Sequence, residues 1–134
     1  MRQLPSGPTR TQGLRVTRVL ETHVHNDYVT GGLVLAERHE ATYVVPGDVD
    51  LDYQRTPAVD GTTFQVGELT VEAVHTPGHT PHHISYVVRS GDHPGAVFTG
   101  GSMLYGAVGR PDLIGPEATV GLAHDQWRSV RRLA

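Results

Sequence analysis

The 134-residue chain contains no cysteine and no lysine; all 11 of its basic residues are arginine. The first absence excludes disulfides, thiolate metal sites and a cysteine nucleophile. The second excludes a lysine Schiff base and the lysine of a phosphate-binding P-loop. No apolar run approaches the roughly 18 residues that a membrane-spanning helix needs. Met1 to Arg10 lacks the apolar core of an export signal, so a cytoplasmic protein without a membrane partner is expected. A net charge of −3 gives no general attraction to nucleic acid, and Arg128, Arg131 and Arg132 read as a solvated helix face. Nine histidines stand against no cysteine, so any transition metal here must be held by imidazole and carboxylate.

The length is that of one domain with a core of its own. Residues 1–13, rich in Pro, Gly, Ser and Thr, read as a flexible leader to a domain spanning 14–134. Alternation predicts a strand over Leu14–Thr22, running straight into a His23–Tyr28 loop. A helix follows over Val29–His39, then a strand over Ala41–Val45, stopped by Pro46-Gly47. Asp48–Asp60 reads as irregular. A hairpin is expected from Thr63–Val66 and Leu69–His75 around Gly67-Glu68, with further strands at Ile84–Val88 and Ala96–Thr99. Gly100–Gly115 reads as a long loop and Glu117–Leu133 as a helix. Strands mixed with helices predict a layered α/β domain.

Chemistry concentrates in two places. In His23-x-His25-x-Asp27, residues two apart on extended backbone point the same way, so two imidazoles can converge on one ion. Asp27 can join the coordination or take a proton from a metal-bound water. In His75-Thr-Pro-Gly-His79-Thr-Pro-His82-His83, proline and glycine stiffen a tight turn with His79 at its apex as the third ligand. His75 reads as a partly buried histidine at a strand end. His82 and His83 are adjacent and should face opposite ways, so at most one of them is expected at the site.

Together, E-T-H-x-H-x-D followed by V-T-G-G, then H-T-P-G-H-T-P and F-T-G-G, resembles the metallo-β-lactamase superfamily. The likeness is to persulfide dioxygenases and the related domains fused to rhodanese (sulfurtransferase) modules, with glyoxalase II thioesterases next. It implies an αββα sandwich, here in a partial version. It implies that His23, His25 and His79 form the first metal site of the hydrolases. The dioxygenases hold iron through the positions of His23 and His79 plus an aspartate. In the stretch Gly106 to Asp112, the resemblance places Arg110 near a thiol substrate and lets Asp112 order the loop. A salt bridge between those two residues is the alternative.

Three departures qualify the resemblance. The family's Asp-His pair reads Asp27-Tyr28, which removes a second-metal ligand and leaves Tyr28, like Arg110, for substrate contact. The family's F-T-G-D reads Phe98-Thr99-Gly100-Gly101, which removes the aspartate that bridges two metals or completes the iron site. The family's last metal histidine lies beyond Ala134, so the chain reads as the middle of such a domain. What remains is one mononuclear site for Fe(II) or Zn(II). Three readings follow: a persulfide dioxygenase-like enzyme, a zinc-dependent thioester hydrolase, or a silent accessory domain. The resemblance supplies a small thiol, persulfide or thioester as substrate and a sulfurtransferase as a partner.

Overall fold

The computed structural model describes residues 13–27, 29–91 and 93–134. Two sheets stack between two helices. The first is parallel, in the order β1 (Arg18–Leu20), β2 (Thr42–Pro46), β3 (Thr56–Ala58). The second is antiparallel, in the order β4 (Thr63–Val66), β5 (Leu69–His75), β6 (Ile84–Ser90), β7 (His93–Phe98). A small hairpin, β8 (Met103–Leu104) and β9 (Ala107–Val108), lies inside the glycine-rich segment. Helix α1 spans Gly32–His39 and helix α2 spans Pro116–Leu133.

The side-chain period of two explains the layers. On β2, Val44 points to a core shared with Ala58, Val71, Ala73, Ile84 and Tyr86, which fills the space between the sheets. Its neighbours Tyr43 and Val45 point the other way, against Ala36 of α1. A parallel strand covered on both faces reads as a continuous apolar run, and Tyr43, Val44 and Val45 are all buried. On the far face of the second sheet, Val74 is buried beside Val87, Arg132 and Leu133 at the end of α2.

Helix α2 starts at Pro116, whose missing N–H costs nothing in a first turn. Its buried residues include Gln126 and Ser129, which bond to loops. Gln126 Nε2 donates to Ser102 O at 2.7 Å, and Ser129 Oγ donates to Pro77 O at 2.7 Å. Gly78 lies so close to the helix that an added Cβ would stand 2.5 Å from the Gln126 Cα. The helix therefore clamps the turn that carries His79.

The layered α/β order is the expected one. Several stretches differ from expectation, and of Leu14–Thr22 only Arg18–Leu20 pairs as a strand. The 48–60 segment contains β3, a strand of three residues with Pro57 in its middle, which the edge of a sheet accommodates because one side of its backbone needs no partner. The glycine-rich loop contains the β8–β9 hairpin. Residues 1–12 of the leader lie outside the described residues. No described helix is long and apolar enough to cross a membrane.

Candidate metal centre

Both histidine motifs are delivered to one end of the sandwich. β1 ends at Leu20, and the next residues cross to the other sheet: Thr22 O accepts from Ile84 N at 2.7 Å, and Glu21 O accepts from Tyr86 OH at 2.9 Å. The Glu21 carboxylate is gripped by Thr30 Oγ1 at 2.6 Å and Tyr43 OH at 3.0 Å, tying the start of the His23 loop to α1 and β2. The His79 turn joins β5 to β6, and Thr76 N donates to His83 O across its base. Since Ile84 anchors the first motif and begins β6, the two loops face each other.

There the rings of His23, His25 and His79 form a triangle, with centroids 4.7, 4.9 and 5.0 Å apart and each pair edge to face. One nitrogen from each lies within 4.8 Å of the others. Two ligands of a tetrahedral ion stand about 3.3 Å apart, so small ring shifts would close the set.

The outward hydrogen bonds show that these donors fit a metal. His79 Nδ1 lies 3.1 Å from Arg110 O, and a carbonyl can only accept, so Nδ1 carries the proton and Nε2 offers its lone pair to the cluster. His23 Nδ1 sits 2.8 Å from Thr22 Oγ1, and donation to that hydroxyl frees Nε2 in the same way. His25 Nε2 lies 3.0 Å from His79 Nε2. A lone pair on His79 and a proton on His25 satisfy that contact without an ion.

Of the other expected site residues, Asp27 is exposed and borders a groove beside His25 but is not one of the clustered groups. Tyr28 lies outside the described residues. Arg110 is paired with Asp112 through two bonds of 2.8 Å, the salt-bridge alternative. Its contribution to the cluster runs through its backbone carbonyl. His75, as expected, is a half-buried strand-end residue whose Nε2–H donates to Pro81 O.

Neither His82 nor His83 is one of the clustered groups; each braces the surroundings of the triangle through a different contact. His82 Nε2 accepts from Val24 N at 3.1 Å, between the two ligands of the first motif. His83 is fully buried and stacks on His23 with centroids 4.9 Å apart. Its Nε2 accepts from Gly101 N at 3.1 Å, so the proton sits on Nδ1 and is donated to Thr76 Oγ1 at 2.9 Å. Thr76 in turn meets Ser85 Oγ at 2.7 Å. The polar pair His83 and Ser85, two positions apart, was the available signal.

This network needs a neutral His83, and burial, with His23 and His79 nearby, pulls its pKa down to about 3. An imidazole in the unfolded chain titrates near 6.5, so the unfolded state takes up the proton first as pH falls. The stability contributed by the neutral ring is complete above about 6.5 and is lost as pH falls toward about 3. Metal-free protein is expected to lose thermal stability steadily from pH 7 to 4. His83→Asn should melt lower at pH 7 and show a shallower slope. Parallel melting-temperature profiles for the two proteins would contradict this account.

The family model described as the metallo-beta-lactamase superfamily matches residues 6–134. A hydroxyacylglutathione hydrolase of Synechococcus sp. is 34% identical over 107 residues, covering 75% of this chain and 42% of the relative. Among solved structures, a metallo-beta-lactamase from Staphylococcus aureus superposes with a TM-score of 0.83 at 27% identity, covering 92% of this chain and 39% of the other. ETHE1 from Myxococcus xanthus superposes with a TM-score of 0.69 at 33% identity, covering 89% and 49%. The chain thus spans less than half the length of each of these three proteins.

Proposed function

From the premise that this chain belongs to the metallo-beta-lactamase superfamily, we propose that it is a metal-dependent hydrolase of a small thioester, working at a single ion held by His23, His25 and His79. The observation that carries this reading is the His79 ring, with Nδ1 committed to Arg110 O and Nε2 left for the cluster. Three imidazoles suit zinc, whereas the dioxygenase-type iron set needs a carboxylate where Gly101 stands. The hydroxyacylglutathione hydrolase likeness supports thioester chemistry, since an acylglutathione is a thioester. When bound, the ion supplies Lewis acidity and a water ionised near neutral pH. The chain's own residues hold and orient the rings, through Thr22 Oγ1 for His23 and Arg110 O for His79. Asp27, which lines the same groove as His25, is assigned the role of proton acceptor. Arg110 and Tyr28 are assigned to substrate contact.

A second reading is supported by the likeness to persulfide dioxygenases and by the ETHE1 superposition. It is oxidation of a small persulfide at iron, with a sulfurtransferase as partner. Elemental analysis of tag-free protein, followed by a thiol-release assay on a short neutral thioester, separates the readings. About one zinc per chain with metal-dependent thiol release is the expected result. Iron with oxygen uptake on a persulfide would establish the second reading instead. A folded protein without stoichiometric metal would overturn both and leave an accessory domain.

A further inference from the structure

A groove of about 610 Å³ opens beside His25, within the size range of small-molecule sites. One wall is aliphatic, formed by Val49, Leu51, Leu113 and Ile114, and two carboxylates, Asp27 and Asp50, also line it. No arginine lines this groove among the described residues. Neither Asp27 nor Asp50 is in an ion pair among those residues. The cation expected nearest a substrate, Arg110, already has its charge matched by the bidentate contact with Asp112. His82, also in the lining, accepts a backbone N–H and is therefore neutral.

An independent feature marks the groove as a ligand site. Thr80, only 2% exposed, lines it, and its Oγ1 has no hydrogen-bond partner. Buried hydroxyls are ordinarily bonded, so a ligand atom is the natural complement of this one.

We propose that this groove selects a thioester carrying an aliphatic portion and a cationic group, and discriminates against anionic thiols of the glutathione kind. The proposal rests on the hydrolase reading for its reaction. The aliphatic wall takes the carbon chain, Thr80 Oγ1 donates to or accepts from a polar atom, and Asp27 and Asp50 face the cation. Hydrolysis adds water across the acyl–sulfur bond, giving a carboxylic acid and a free thiol with no change of oxidation state.

Three acetyl thioesters of matched size test it: acetylthiocholine, its neutral 3,3-dimethylbutyl isostere and S-acetyl-3-mercaptopropionate. Two exposed carboxylates are each worth a few-fold, so kcat/KM should favour the cation over the neutral ester by roughly three- to tenfold. The anion should fare worse again, and half-molar salt should compress the range. Asp50→Asn should lower the cation-to-neutral ratio of kcat/KM about threefold. NMR titration with the matching non-hydrolysable thioethers, with and without zinc, reads the groove independently of catalysis. Cleavage without charge preference, preference for the anion, or a preference unmoved by Asp50→Asn would overturn the proposal. Charge-selective, Asp50-dependent binding without cleavage would instead sustain the groove and overturn the hydrolase reading.

Discussion

His79→Ala is expected to strip the metal from the protein and to lower metal-dependent turnover by at least about 10³-fold, equivalent to roughly 4 kcal/mol of transition-state stabilisation. Both ring nitrogens are engaged, one with Arg110 O and one facing His23 and His25, so no other group on that turn can replace it. The backbone that carries the ring is fixed from other directions. Ser129 holds Pro77 O, Gly78 packs on Gln126, and Thr76 bonds to His83 and Ser85. The variant should therefore stay folded, with a melting temperature close to that of metal-free wild type. His75→Ala is the matching control. It removes an imidazole from the same turn, one bonded to Pro81 O and outside the cluster, and should keep about one ion per chain. Elemental analysis of both variants beside wild type decides the matter. A His79→Ala protein that retains stoichiometric metal and activity would place the centre elsewhere.

Much of this site was legible because its ligands follow local rules. His23 and His25 share a direction because they stand two apart on extended backbone, and His79 is fixed by a Thr-Pro-Gly turn that announces itself. The main strands were legible from alternation, as in β5, where Val71 and Ala73 are buried on one face. The bracing of the ligands was not, because it depends on register between distant segments. The carbonyl of Arg110 orients His79 from 31 residues away, and no side-chain pattern encodes a backbone acceptor. His82 reaches Val24 across 58 residues. β3 was missed because a strand of three residues containing Pro57 owes its pairing to β2 beside it and has no periodicity to show. The β8–β9 hairpin, with two residues per strand, is equally silent.

Gly101 reads from the sequence as a lost ligand, and its surroundings show why restoring the carboxylate should fail. A Cβ built there would run into Cδ2 of His79 and come within 2.7 Å of its Nε2 and 3.0 Å of its Cγ. On the other side of the ring, a Cβ at Gly109 would stand 2.9 Å from both Cβ and Cγ of His79 and would collide with Gly101 O. The imidazole thus occupies a slot walled by two glycines, and swinging away from position 101 breaks its bond to Arg110 O. Gly101→Asp is accordingly expected to weaken metal binding by about 10- to 100-fold, the usual effect of disturbing a ligand's orientation. Overpacking should also destabilise the fold by about 1–3 kcal/mol. Gly101→Ala carries the same Cβ without the charge and should show most of both effects, which separates the steric cause from an electrostatic one. Zinc titration and thermal melts of the two variants measure these quantities. Two ions per chain with a gain in turnover in Gly101→Asp would mean that the ring yields readily and that the glycine is a vacancy. Loss of metal in both variants would mean that the glycine is what lets His79 stand where a ligand must.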